Sequence, residues 1–148
     1  MIISQNGLDF IKKFEGYRAK SYFCPAGKLT IGYGHVITPH EKFNTLITVK
    51  DAERILIADL KIAENAIAKY VKVPLKQGQY DALVSLVFNW GVNNFLKSRG
   101  FTYLNNSEYE KATEEFFSAK HGVVKVNNKL SLGLYNRRQG EFAMWNSK

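Results

Sequence analysis

The stretch Glu15-Gly-Tyr-Arg-Ala-Lys-Ser-Tyr-Phe-Cys24-Pro-Ala-Gly-Lys-Leu-Thr30-Ile-Gly-Tyr-Gly-His35 marks a change of local pattern. Before it, Leu8, Ile11 and Phe14 recur at helical spacing, which predicts a helix over 4–14. Gly16 then supplies the left-handed stop common after helices. Within the stretch, Tyr22, Phe23, Thr30, Ile31 and Tyr33 favour strands, and Pro25-Ala26-Gly27 reads as a turn between two of them. From Tyr17 to Thr38 the chain is therefore read as a short antiparallel sheet built around a hairpin.

Helical patterns follow. Thr48-Val-Lys-Asp51 has capping-box spacing and opens an apolar stripe of Ile55, Leu56, Asp59, Leu60, Ile62, Ala63, Ala66, Ile67 and Tyr70, which Pro74 stops. A second helix over about 77–89 carries Ala82, Leu83, Leu86 and Val87, with Val84, Phe88 and Trp90 on its flanks, and is read as buried almost all round. Short helices near 93–97 and 101–105 precede a second capping box, Ser107-Glu-Tyr-Glu110, which predicts a helix to about Lys120. A polar connector, His121 to Lys129, leads to a last helix from about Ser131 to Trp145. No repeat, low-complexity tract or Pro/Gly/Ser-rich linker interrupts the chain. The expected class is α+β, a small mixed N-terminal lobe and a helical C-terminal lobe within one domain, 1–148.

Composition narrows the function. The 148 residues are 45% hydrophobic and 23% charged, ordinary globular usage that excludes a disordered chain. With 21 basic and 13 acidic residues the net charge is +8, so an anionic partner is expected: nucleic acid, anionic lipid or an acidic wall polymer. The basic residues are scattered, and no nucleic-acid-binding motif accompanies them. The lone Cys24 excludes an internal disulfide framework and a Cys-rich zinc site, as suits folding in a reducing compartment. The apolar run Ala82–Leu96 is too short and polar to span a bilayer, and the first residues lack a signal peptide's basic and apolar regions.

Three residues of the opening stretch carry candidate chemistry. Glu15, at a helix end beside an aromatic-rich sheet, is a candidate general acid; taken singly it is one more solvated acid. Cys24, in the hairpin turn, is a candidate nucleophile or base, and otherwise a small buried hydrophobe. Thr30 offers a hydroxyl to hold a water, and otherwise simply favours a strand. Gly32-Tyr33-Gly34-His35 lacks phosphate-loop spacing. His35 with Cys24 makes a possible Cys/His hydrolytic pair. His35, His40 and Glu41 fit no strong zinc pattern, so neither metal nor cofactor is expected.

The spacing from Glu15 through Cys24 to Thr30, followed by Thr30-Ile-Gly-Tyr-Gly-His35, resembles the catalytic region of phage-type lysozymes, the glycoside hydrolase family 24 endolysins. Ala82-Leu-Val-Ser85 with Phe88-Asn-Trp-Gly91 resembles that family's central buried helix. Gly133-Leu-Tyr-Asn-Arg137-Arg138-Gln-Gly-Glu141 resembles its C-terminal block. The three blocks lie in order over almost the whole chain. The connector from Gly122 to Ser131 is looser than the family pattern, and Met1 lies only a few residues ahead of the first helix, where many relatives carry a signal anchor.

The resemblance implies a lysozyme-like fold with its active-site cleft between the lobes. It also implies hydrolysis of the β-1,4 bond between N-acetylmuramic acid and N-acetylglucosamine in bacterial peptidoglycan, leading to host lysis. Glu15 would be the general acid and Cys24 would stand where many relatives carry Asp, with Thr30 orienting the water or the thiol. Tyr33, Gly34 and His35 would support the cleft. Arg137 and Arg138 are read as exposed, at least one tying the last helix to the cleft lobe through a carboxylate. A monomer is implied, held in the host cytoplasm until a holin opens the membrane. Two rival readings remain: a Cys24–His35 peptidase or amidase, and a non-enzymatic cationic binder of nucleic acid or membranes.

Overall fold

The computed structural model describes residues 1–148. Its elements run α1 (Gln5–Glu15), β1 (Arg18–Phe23), β2 (Leu29–Gly32), β3 (His35–Val36), α2 (Val49–Tyr70), α3 (Gln77–Trp90), α4 (Val92–Lys97), α5 (Arg99–Asn105), α6 (Tyr109–Phe117), β4 (Lys125–Val126), β5 (Lys129–Leu130) and α7 (Leu132–Trp145). The expected α+β class is what the chain adopts. It divides into two compact units, Asp9–Lys61 and Met1–Leu8 with Ile62–Lys148. Both boundaries fall inside helices, so no linker separates them.

The first unit holds the sheet, in order β1-β2-β3, all antiparallel. Tyr22 pairs with Thr30 and Phe23 with Leu29, and the hairpin turns through Pro25-Ala26-Gly27, where Gly27 adopts a φ of 76°. Ile31 and Tyr33 are buried, whereas Phe23 at the strand end is exposed. Gly32 also has a positive φ, 65°; a Cβ there would meet Ala52 and Ile47 at 3.3 Å, so the turn into β3 packs closely on the start of α2. That start is capped reciprocally: Asp51 N–H donates to Thr48 Oγ1 and Thr48 N–H reaches Asp51 Oδ2.

The second unit is a helical cluster around α3, whose residues 80–87 are all buried. α7 packs along α3, α5 along α6, and α6 along α7. The aromatic core joins Phe95, Phe116, Phe117 and Trp145 in tilted and edge-on contacts. The N-terminal residues dock here too: Ile3 N–H donates to Glu64 Oε2 at 3.0 Å, Ser4 N–H to Asp81 Oδ1 at 2.9 Å, and Ser4 Oγ–H also bonds Asp81.

Four sequence expectations are corrected. The Ser107–Glu110 box does not cap α6: Ser107 takes a φ of 62° and closes the preceding turn, leaving Glu108 at the cap position without a side-chain bond. That helix stops at Phe117 rather than Lys120, because Ser118 Oγ draws the His121 N–H into a turn. The polar connector contains a two-stranded hairpin, β4–β5, whose Asn127 and Asn128 both have positive φ, 50° and 62°. Asparagine tolerates that conformation, and two such residues match the twist of hairpin strands. In α2, Ile62 lies 70% exposed, outside the buried face that Ala52, Leu56, Leu60, Ala63 and Ile67 form.

Candidate active site

Six of the site residues read from the sequence, Glu15, Cys24, Thr30, Tyr33, Gly34 and His35, lie within the unit Asp9–Lys61, on or next to α1 and the strands β1–β3. Glu15 ends α1 and is half-buried. Gly16, with a φ of 70°, turns the chain directly after it. Cys24 follows β1, Thr30 lies buried in β2, and His35 opens β3.

The turn between β2 and β3 approaches Glu15 through Gly34. A Cβ built on Gly34 would lie 2.9 Å from Glu15 Oε2, and the residue has a φ of 77°. Glycine is needed here twice, for the backbone angle and for the space the carboxylate fills. Gly34→Ala is expected to lose roughly 1 kcal/mol of stability or more and at least about tenfold in turnover, because the methyl group displaces the carboxylate. Denaturant melts and wall-lysis rates read the two effects separately; a fully active Gly34→Ala enzyme would show that Glu15 does not need this approach.

Cys24 is half-buried at the hairpin tip. Its own N–H donates to Lys28 O at 2.9 Å, and Gly27 N–H returns to Cys24 O at 2.8 Å, so the tip is closed by backbone bonds. The Lys28 N–H stabilises the thiolate most; burial opposes it, and the Ala26 N–H and the Thr30 hydroxyl add to it, so the thiol is held below its ordinary value. The Thr30 hydroxyl donates to Lys28 O at 2.9 Å. Its single proton serves either that carbonyl or the sulfur, and the observed geometry favours the carbonyl.

His35 lies between two carboxylates. Nδ1 is 2.8 Å from Asp59 Oδ2 and Nε2 is 3.0 Å from both Glu41 oxygens, with the Phe43 ring edge-on beside it. Burial works against the charged ring, but the Asp59 and Glu41 carboxylates outweigh it and raise the imidazole above its ordinary value. Glu41 is held below the usual carboxylate range by the Thr38 N–H first and by His35 second. Both ring nitrogens are thus occupied by carboxylates, which leaves no free nitrogen to deprotonate Cys24 and removes the basis of the Cys24–His35 peptidase reading.

The sign of the pH effect follows from the raised His35. Its ion pairs stabilise the fold fully below the ordinary histidine value, about pH 6.5, and the contribution fades as pH rises through the higher folded value. Urea midpoints are expected to fall between about pH 6 and about pH 9 in the parent and to change much less in Asp59→Asn. An identical slope in both proteins would exclude this pair as the cause. Asp59 was visible in the sequence as the one acid inside the apolar stripe of α2, although nothing there named its partner.

Tyr33 is buried, 5.8 Å from the Tyr17 ring and with Lys12 Nζ 5.8 Å from its centroid. Lys12 is also ion-paired with Glu53, and Tyr17 Oη donates to Ile47 O at 2.6 Å. These contacts fix the segment that carries Gly34; sequence spacing alone did not reveal Glu53 as a member.

Arg137 and Arg138 correct the expectation of exposed residues. They are 5% and 0% exposed, inside the helical unit. Arg138 Nη2 donates to Glu141 Oε1 at 2.8 Å and its Nε lies 2.6 Å from Glu141 Oε2. Arg137 Nη2 donates to Ser85 Oγ at 3.3 Å, and its Nε is 3.4 Å from Glu141 Oε1. The i, i+3 and i, i+4 spacing on α7 places both cations beside one carboxylate, and Ser85 of α3 donates to the same carboxylate at 2.6 Å. This cluster ties α7 to α3.

Comparison with known proteins agrees with this fold. The chain is 42% identical to the endolysin of Acyrthosiphon pisum secondary endosymbiont phage 1, over 99% of both proteins. It is 39% identical to the endolysin of Bacillus phage PZA over 99% of its own length and 56% of that protein. Its fold superposes on a crystal structure of a P22 lysozyme mutant with a TM-score of 0.86 and 35% identity, covering 99% of each chain. The sequence model of the phage lysozyme family matches residues 12–141, and the chain accordingly belongs to the phage lysozyme family.

Proposed function

We propose that this chain is an endolysin of glycoside hydrolase family 24 type in which Glu15 is the general acid, Cys24 the anionic partner and Thr30 the residue that positions the attacking water. As a phage lysozyme it is a glycosidase that breaks the β-1,4 bond from N-acetylmuramic acid to N-acetylglucosamine in the bacterial wall. Glu15 delivers its proton to the leaving glycosidic oxygen as the C1–O bond breaks. Water supplies hydroxide to C1 and its remaining proton restores the acid–base inventory. Glycosidases place a second anionic group near the oxocarbenium-like centre, a pattern for which lysozyme is the type case. A thiolate at Cys24 fills that role only when deprotonated. The backbone donors around the hairpin tip favour that state.

The observation that carries the reading is the placement of the Glu15 carboxylate against the Gly34 turn, within the unit that also fixes Cys24 and Thr30. The test is mass spectrometry of digested peptidoglycan. Fragments ending in reducing N-acetylmuramic acid support it; anhydro ends would indicate a lytic transglycosylase, and cut stem peptides a peptidase. The cationic-binder reading requires lysis to persist without any such fragment.

Cys24 has its own test. Activity should rise with pH as the thiol ionises, and iodoacetamide should abolish turnover in step with the mass shift at Cys24. Cys24→Asp should keep activity, resist iodoacetamide and move the rise toward the ordinary Asp range, near pH 3.9. Full turnover of completely alkylated enzyme would remove Cys24 from the mechanism.

The net charge of +8 suits an acidic wall polymer and predicts weaker action at high salt. No helix is long and apolar enough to cross a membrane. Retention in the host cytoplasm, passage through a holin and action as a monomer complete the proposed route.

A further inference from the structure

The β4–β5 hairpin is an exposed finger of the helical unit: all of residues 125–130 face water. Val126 is 54% and Leu130 61% exposed, and Leu132, just beyond, is 69% exposed. Single apolar side chains on a surface need no explanation, but three so close together do.

The finger is firmly rooted. Val124 at its base is buried and accepts the Ser131 N–H at 2.8 Å, while Val123 N–H donates to Phe116 O at 3.2 Å. At its tip Asn127 and Asn128 take the left-handed conformation that closes the turn. A paired backbone therefore holds these apolar side chains out in water.

The charge along this segment is of one sign. No acidic residue occurs from 116 to 140, whereas Lys120, Lys125 and Lys129 do, all exposed. Glu115, which shares a cavity wall with Lys125, is paired with Arg99 at 3.3 Å. The register sets Lys125 opposite Leu130 and Val126 opposite Lys129. Residues directly opposite share a face, so each face carries one cation and one apolar side chain.

That arrangement selects the partner. A rigid partner lies against one face and leaves the other in water. A fluid interface encloses both: apolar groups reach the acyl boundary while lysine stems bend their ammonium groups back to the phosphates. A sugar polymer calls for an aromatic platform, and no Phe, Tyr or Trp occurs from 118 to 134. A second copy would set lysine against lysine. We propose that the β4–β5 hairpin docks the protein on a bilayer surface rich in anionic phospholipid. Val126, Leu130 and Leu132 enter the acyl boundary, and Lys125 and Lys129 meet the headgroup phosphates. Adsorption is reversible, because a few apolar side chains and a few lysines hold only in combination. The proposal goes beyond the wall-cutting reading and does not depend on it.

The test is co-sedimentation of the whole protein with vesicles of phosphatidylcholine alone or with about one third phosphatidylglycerol. The parent should bind the anionic vesicles at least about tenfold more tightly, and lose that preference at high salt. Lys125→Gln with Lys129→Gln should weaken anionic binding about thirtyfold, at about fivefold per lysine. Val126→Asn with Leu130→Asn keeps the charge and should weaken binding at least about fivefold. Lys20→Gln with Lys50→Gln, at exposed positions of the sheet unit, changes net charge equally and should stay within about twofold. The four hairpin positions are exposed, so both hairpin variants should keep the parent's circular dichroism and cut isolated wall at the parent rate.

Equal binding of the parent to both vesicle types, or hairpin variants that bind as the parent does, would overturn the proposal. An equal loss in the Lys20 and Lys50 variant would also overturn it, by making net charge alone the cause. Hairpin variants that cut isolated wall more slowly yet bind vesicles normally would assign the finger to the polymer instead. If the parent cuts no wall at all, the endolysin reading fails while the vesicle result still decides the hairpin.

Discussion

Glu15→Gln is expected to lower the rate of wall hydrolysis by about two to four orders of magnitude, the usual contribution of a positioned general acid, while the protein remains folded. The amide keeps the size of the carboxylic acid and fits the same space against Gly34, where the carboxylate oxygen now lies 2.9 Å from an added methyl position. It has no acidic proton to give the leaving oxygen. Its fold should not suffer, because Glu15 is the last residue of α1. Removing an anion from a helix C-terminus is worth about 0.3–1 kcal/mol in the favourable direction. The expected pair of results is a collapse in released reducing ends with a melting temperature no lower than the parent's. Retention of more than a tenth of the parent rate would exclude Glu15 as the acid. Loss of activity accompanied by unfolding would point to structural support instead.

Glu141→Leu should have the largest effect on stability, about 3–5 kcal/mol, the usual range for breaking a buried ion pair by removing one partner. Glu141 is fully buried between two guanidinium groups and accepts from Ser85. Burial pushes its carboxyl up and the Arg138 guanidinium down, so each stays ionised by virtue of the other. Removing the carboxylate leaves Arg138, which is wholly buried, facing Arg137 with no compensating anion. Arg138 Nη1 already lacks a hydrogen bond, and removing Glu141 takes away the acceptor of Nη2 as well. Urea melts should show a lower midpoint, and the double variant Arg138→Met with Glu141→Leu should recover part of the loss, because it removes a buried charge along with its partner. A single variant within about 1 kcal/mol of the parent would show that solvent reaches the cluster.

The periodicity of the chain was enough to place α1, the hairpin of β1 and β2, the long α2 and the buried α3. These elements are local: their apolar spacing, the Thr48 cap and the glycine stops act between residues close in sequence. The spacing from Glu15 to His35 was legible for the same reason, since a helix end and a hairpin fix their neighbours over short distances. The Ser107–Glu110 box misled because a capping motif and a left-handed turn draw on the same residues, and only the packed chain selects between them. Asn127-Asn128 was read as part of a polar connector, although its turn chemistry was present, because two-residue strands give almost no alternation to detect.

Partnership was another matter. The sequence determined that His35, Asp59 and Glu41 exist and that Arg137, Arg138 and Glu141 share one helix face. Tertiary structure alone decided that His35 is clasped by two carboxylates, that both arginines lie in the interior, and that Trp90 is left open while Trp145 is packed. The physical reason is that a charged side chain is exposed by default and becomes buried only when a distant segment supplies its counter-charge and hydrogen bonds. Such pairings span tens of residues, as Ser85 and Glu141 do, and no local pattern encodes them.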